Sequence, residues 1–103
     1  MEAVAKPIPG FGEFSSQMDS PFVARCKDGS SIKFRLIGAN DLYQDERTHS
    51  FSLMFQAPPA TPPEQRIYSL TNSELGTHEL FLVPVKQTDE GLVFEAAFNM
   101  VKN

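Results

Sequence analysis

The spacing of the apolar residues changes at Pro21, and this change constrains the fold more than any other feature of the sequence. Before Pro21, the residues Phe11, Phe14 and Met18 follow one another at intervals of three and four, which is typical of a short helix. Pro21 is expected to end that helix, because proline disfavours a helical residue before it and has no amide to donate. From residue 22 onward, Phe, Val, Ile and Leu recur at every second position, which predicts strands separated by turns.

The pair Asp28 and Gly29 predicts the turn of a first hairpin. A two-residue loop at this pair would place charged side chains on the same face as Phe34. A three-residue loop over residues 27–29, with Gly29 in the left-handed conformation, instead pairs Phe22 with Phe34. The alternation of apolar and charged residues therefore favours the three-residue loop.

Four further strands are predicted from alternation and from the turn residues between them. They cover residues 49–56, 66–70, 77–85 and 92–100, and Pro84 is expected to limit pairing near the end of the third of them. The polar stretch 38–48 predicts a loop. The proline-rich stretch 57–63 predicts a second loop with polyproline II character.

These elements predict a mainly β fold, a small antiparallel barrel or sandwich of about six strands with one short N-terminal helix. The chain has 103 residues, which is enough for one hydrophobic core. We expect an extended N-terminal arm over residues 1–10, where prolines stand at 7 and 9, and a single small β domain over 11–103. Six or seven of the nine phenylalanines fall on the predicted inward face, so they are expected to form much of the core.

Charge and composition argue against several classes of partner. The net charge is −4 and the pI is near 5.0, the wrong sign for a protein whose main role is to hold nucleic acid. No apolar run approaches the ~18 residues that span a bilayer, so no membrane association is expected. Cys26 is the only cysteine and cannot form an internal disulfide, which favours a cytoplasmic location.

Several strings in the second half of the chain resemble those of an uncharacterised family of small bacterial proteins. The family pattern comprises FSLxF, QxxYxLxxxxLG, FLVPV and Y/FEAxFN, which correspond here to residues 51–55, 65–76, 81–85 and 94–99. The sequence departs from it at Asn72 and Ser73, where the family often has a histidine, and this argues against any role that depends on that histidine. Members of this family are similar to companions of phage-tail-collar-like proteins. The resemblance implies an accessory or assembly role and no assigned activity.

The sequence offers few groups with catalytic or ligand-binding potential. Cys26 could be paired with His49 or His78 as nucleophile and base, but it lies on the apolar face of a predicted strand, where a thiol is usually a core residue. The histidines lack metal-ligand spacing, and the carboxylates of the 41–46 stretch lack the order of a calcium loop. Neither a Gly-x-Ser-x-Gly elbow nor a phosphate-binding glycine loop occurs. We therefore expect no enzyme activity, no metal and no cofactor.

One charged surface stands out against this background. Four cations are predicted on the outward face of the first hairpin, namely Arg25, Lys27, Lys33 and Arg35. With Asp28 they give residues 21–37 a charge of +3 in a chain of −4. Like charges this close need an acidic counterpart, which either the 41–46 and 89–90 acids or a partner could supply. Because Phe22 and Phe34 are predicted to point to the opposite face, single-stranded nucleic acid is not the expected partner.

The sequence thus predicts a non-enzymatic protein-binding or assembly accessory domain with a protein partner, and the family resemblance implies a phage-tail-like setting. The candidate partner-binding residues are the four hairpin cations. A second hypothesis from a different class is a small ligand-binding barrel, or a metal-assisted hydrolase-like enzyme that uses His49, His78 and the 41–46 carboxylates. The sequence does not indicate an oligomeric state.

Overall fold

The computed structural model describes residues 8–101, which form one short helix and six antiparallel strands. The elements are α1 (Phe11–Ser15), β1 (Pro21–Arg25), β2 (Ser31–Gln44), β3 (Thr48–Ala57), β4 (Arg66–Asn72), β5 (Gly76–Thr88) and β6 (Gly91–Val101). The strands close into a barrel in the order β1-β2-β3-β6-β5-β4, with β4 pairing back to β1. The predicted mainly β fold is confirmed, and of the two architectures left open the chain adopts the barrel. No helix in the described part of the chain has the length and apolar character needed to cross a membrane.

The N-terminal region differs from its prediction in where the helix ends. Most of the arm expected over 1–10 lies outside the described residues, and residues 8–10 have no regular secondary structure. The Gly10 N–H donates to the Glu13 carboxylate at 3.0 Å, which satisfies one free amide at the start of α1. The helix ends at Ser15, well before Pro21, and a turn over residues 16–19 leads to Asp19, which has φ at +68° and donates its N–H to the Leu36 carbonyl at 2.7 Å. Pro21 is instead the first residue of β1, a position at which a strand accepts proline.

The register of the first hairpin agrees with the predicted three-residue loop. Phe22 lies directly opposite Phe34, and Gly29 has φ at +91° within the loop over 27–29. The Asp28 carboxylate accepts hydrogen bonds from the Ser30 N–H at 2.9 Å and from the Ser30 hydroxyl at 2.6 Å. These contacts hold the turn in one conformation and fix which side chains of both strands point outward.

The stretch 38–48, predicted as a loop, belongs mostly to strand, so that prediction is wrong. β2 continues to Gln44, and the connection to β3 shrinks to residues 45–47. Two β-bulges, at Ile37 and Leu42, interrupt the pairing of β2 with β3. Each bulge adds one residue and inverts the alternation of faces, which removes the period-two pattern from the sequence. Most side chains beyond the first bulge are also exposed, so few apolar residues mark this part of the strand.

β5 also runs further than predicted, through Pro84 to Thr88. Pairing with β4 ends at Leu82, pairing with β6 begins at Val83, and Pro84 lies opposite Phe94. Proline is tolerated there because this part of β5 is paired on one side only. A bulge follows at Val85, so β5 bends just after the proline.

Phenylalanine rings fill the barrel interior, as predicted. Six of the nine Phe side chains are buried: Phe14, Phe22, Phe34, Phe51, Phe55 and Phe94. The Phe34 ring packs edge-to-face against Tyr68 and Phe94 at centroid distances of 5.5 and 5.4 Å, a favourable arrangement for aromatic pairs. The helix covers one end of the barrel by placing Phe14 within 5.5 Å of the Phe98 ring. The barrel interior is therefore packed with side chains.

Candidate functional site

The four predicted hairpin cations lie together on the outside of the barrel. Arg25, Lys27, Lys33 and Arg35 are all exposed, and we call this surface the basic hairpin face. On β1 and β2, Phe22 and Phe34 point inward, so the alternate positions that carry Arg25, Lys33 and Arg35 point to solvent, and Lys27 is exposed in the turn between the two strands. The described structure thus brings together all four residues that the sequence singled out.

Arg35 differs from the other three cations because it has partners within the fold. It forms an ion pair with Asp19 at 3.3 Å and donates a hydrogen bond to the Gln56 side-chain oxygen at 3.0 Å. Within residues 8–101, Arg25, Lys27 and Lys33 make no ion pair. The acid that serves Arg35 is therefore Asp19, which lies 16 residues away and was not among the predicted partners. Three cations of the basic hairpin face thus have no ion-pair partner in the described part of the chain.

Two turns near the ends of β2 have carboxylates with fixed hydrogen-bond partners. The Ser30 hydroxyl and then the Ser30 N–H donate to Asp28 and lower the pKa of this carboxyl below its usual value of 3.8. At the far end of β2, the Tyr43 hydroxyl donates to Asp45 at 2.7 Å, which raises the pKa of the Tyr43 phenol. Asp28 thus stays ionised and keeps the turn beside Lys27 ordered at neutral pH.

A groove of about 460 Å³ lies on the outside of the barrel beside the basic hairpin face. We call it the outer groove. It runs over β3 and β6 and is flanked by β2 and β5, and its lining includes Ile37, Met54, Gln56, Val85 and Val93. Ile37 and Val85 are the bulge residues of the two flanking strands. A bulge bends its strand and increases the local twist, which accounts for a concave surface on the outside of a barrel.

A chain of hydrogen bonds forms the polar part of the outer groove. The Gln56 side chain accepts from Arg35 and donates to the Thr88 hydroxyl at 3.3 Å, and that hydroxyl donates to the Gly91 carbonyl at 3.1 Å. Gln56 is buried although its side chain lies on the outer face of β3. Arg35 belongs to both surfaces, so the groove and the basic hairpin face are continuous. Sequence analysis did not find this groove, because it depends on two bulges that no local pattern marks.

Of the residues considered for catalysis, His49 and Asp41 are in contact, whereas His78 and Cys26 each have a different partner. The His49 ring contacts the Asp41 carboxylate at 2.9 Å, and the His78 ring contacts the Leu75 carbonyl at 2.7 Å. Cys26 instead accepts a hydrogen bond from Arg66 at 3.9 Å. Over residues 8–101, no group of three or more His, Cys, Asp or Glu side chains could hold a metal ion.

Comparison with known sequences decides the family. A family model, the domain of unknown function DUF6916, matches residues 10–98. The chain belongs to the DUF6916 family. The predicted membership in an uncharacterised family is confirmed for this DUF6916 domain, and the phage-tail association stays a prediction. No curated protein and no solved structure matches the DUF6916 domain.

Proposed function

We propose that this DUF6916 domain acts by protein association and binds an acidic protein segment through the basic hairpin face. The observation that carries the proposal is the exposure of Arg25, Lys27 and Lys33 without an ion-pair partner within residues 8–101. These three cations belong to a hairpin whose register is fixed by buried aromatic rings, so the backbone that carries them is in place before a partner binds. Such preorganisation lowers the entropy cost of binding.

Electrostatics supports an acidic partner. Outside residues 21–37 the chain carries a charge of −7, which is its total of −4 less the +3 of the hairpin segment. A localised positive surface on an otherwise acidic protein orients an acidic partner and repels a basic one. The basic hairpin face therefore orients the partner as well as binding it.

A protein segment is favoured over nucleic acid because the basic hairpin face itself has no aromatic side chain. Phe22 and Phe34, which alternate with its cations, are buried in the barrel. Binding to single strands usually combines cations with exposed rings on which bases stack. The family resemblance adds a phage-tail-like assembly as the setting of this association, and that setting is part of the proposal.

Charge reversal at matched positions tests the proposal. Lys33→Glu and Arg47→Glu each change the net charge by −2, but Arg47 lies in the exposed turn between β2 and β3 and not on the face. The probe is fluorescein-labelled polyglutamate, with binding measured by fluorescence anisotropy at low and high salt. We expect Lys33→Glu to weaken binding roughly threefold to tenfold more than Arg47→Glu does, since exposed charge contacts are individually modest.

Circular dichroism of both variants controls for folding. Equal weakening by the two substitutions would mean that only net charge matters and would contradict a defined face. Tighter binding of a single-stranded DNA oligomer than of polyglutamate of equal charge would contradict the choice of partner.

A further inference from the structure

We propose that the outer groove receives one large apolar side chain of the acidic partner segment, so that the partner is an acidic peptide with an aliphatic or aromatic anchor. This inference rests on the proposed function, because Arg35 is part of both the groove and the basic hairpin face. It adds a specificity-determining pocket to a surface that would otherwise select charge alone.

The apolar residues of the groove provide the contact area for such an anchor. Ile37 and Val85 are 37% and 48% exposed on the two sides of the groove, while Val93 beneath them is only 6% exposed. Met54 completes this surface with a flexible side chain that adapts to different shapes. Exposed aliphatic walls over a buried floor gain most when one side chain displaces water from between them.

Charge in the groove is balanced, which suits a neutral anchor. Arg35 and Lys86 line it together with Asp19 and Glu90, two cations with two anions. A charged side chain of the partner would therefore meet charges of both signs in the groove, whereas the adjoining cations present positive charge only. The arrangement fits an apolar residue in the groove with acidic residues on the side of Lys33.

Gly38 keeps the groove open. It lies beside Ile37 on β2, and a Cβ atom added there would sit 3.4 Å from the Met54 Cβ, an ordinary contact. Its backbone does not need glycine, since its φ is outside the left-handed range. A Cβ atom at Gly38 would thus fit beside Met54, and the further atoms of a larger side chain would occupy groove volume.

The chain also offers a matched apolar position away from the groove. Ile67 on β4 is 61% exposed and lies directly opposite the exposed Phe81 on β5. Neither residue lines the outer groove. Ile37→Ser and Ile67→Ser therefore make the same chemical change inside and outside the proposed pocket.

A random dodecapeptide library displayed on phage is the probe for the test. Peptides selected on the wild-type protein are expected to be rich in Asp and Glu and to share one large apolar position. Synthetic copies of them should bind Ile37→Ser at least about tenfold more weakly, as loss of a buried aliphatic contact implies, and Ile67→Ser within about twofold of wild type. Gly38→Val should weaken binding while leaving the unfolding midpoint in urea unchanged or higher, which separates a blocked groove from a misfolded protein.

The outcomes distinguish this inference from the proposed function. Acidic peptides that share no apolar position and bind Ile37→Ser as tightly as wild type would overturn the pocket and leave the basic hairpin face standing. Selected peptides without acidic residues, or no enriched peptides at all, would overturn both. A shared apolar position whose contribution disappears in Ile67→Ser instead of Ile37→Ser would also reject the outer groove.

Discussion

The two faces of β3 show how differently burial can arise on one strand. On the inner face, Phe51, Leu53 and Phe55 are fully buried by side chains from the rest of the barrel. On the outer face, Ser52 and Gln56 are only 3% and 8% exposed, although an outward residue of a barrel strand normally meets solvent. Both of these buried outer residues are polar, and Gln56 is part of the lining of the outer groove.

This comparison shows that bulges in the neighbouring strands, and not hydrophobicity, determine the shape of the surface over the outer face of β3. β2 and β5 each have a bulge next to the outer groove, and the hydrogen bonds of Gln56 extend to a residue of each of these strands, Arg35 and Thr88. A buried amide keeps its position only while its hydrogen bonds are made. Inner burial therefore provides most of the stability, whereas outer burial shapes the floor of the groove, where Gln56 lies directly opposite Val93.

Truncation of an inner ring should have the largest effect. Phe55→Ala removes a fully buried side chain and should lower the free energy of unfolding by about 3–5 kcal/mol, measured by urea denaturation. The control Phe81→Ala makes the same change at a ring that is 51% exposed and should cost far less. Similar losses for the two variants would show that the barrel interior is not the dominant core.

Gly91→Ala should have the next largest effect on the free energy of unfolding. It tests how closely Gly91 approaches the backbone of Ala57 at the end of β3. Gly91 has φ at +140°, and its Cβ would overlap the Ala57 carbonyl oxygen. Gly91→Ala should combine the cost of a left-handed backbone with about 1–3 kcal/mol of overpacking. Gly29→Ala is the control, because Gly29 also has a positive φ but nothing lies within 4 Å of its added Cβ. Urea denaturation of both variants separates the cost of the left-handed backbone, which they share, from the cost of overpacking, which only Gly91→Ala has. Equal losses in the free energy of unfolding would argue against the close contact between Gly91 and Ala57.

The smallest of the three effects is expected on the outer face. Gln56→Ala leaves Arg35 and Thr88 without a shared partner and should lower the free energy of unfolding by about 1–2 kcal/mol. Gln87→Ala, at an exposed position of β5, should stay within about 0.5 kcal/mol of wild type. If Gln56→Ala were equally neutral in the urea unfolding curve, the polar floor of the groove would not be a fixed structural element.

Most of the barrel could be predicted from the sequence because its strands bury one face regularly. The register of Phe22 with Phe34 followed from parity alone, and it is the register of the structure. The extension of β2 beyond Ile37 could not be predicted, since its two bulges cancel the alternation and its residues are mostly exposed. The prediction also placed Met18 in α1, whereas the helix ends at Ser15 and the turn that follows is tied to β2 by the hydrogen bond of Asp19 with Leu36.

The candidate site, like the fold, was predicted only in part from the sequence. The four cations of the basic hairpin face were predicted as one surface, because residues of alternating parity in a two-stranded hairpin must share a side. The Asp19 partner of Arg35 and the whole outer groove were missed. Both depend on segments that are far apart in the sequence and meet only when the barrel closes.

The amino-acid order alone thus determined the mainly β character, the phenylalanine interior and the positive outer face, since each follows from local spacing and from the need to bury apolar surface. Tertiary structure decided the barrel closure, the two bulges beside the groove and the buried position of Gln56. These features depend on pairing between strands that are distant in the chain, and the energies of such pairings are not contained in any single stretch of sequence.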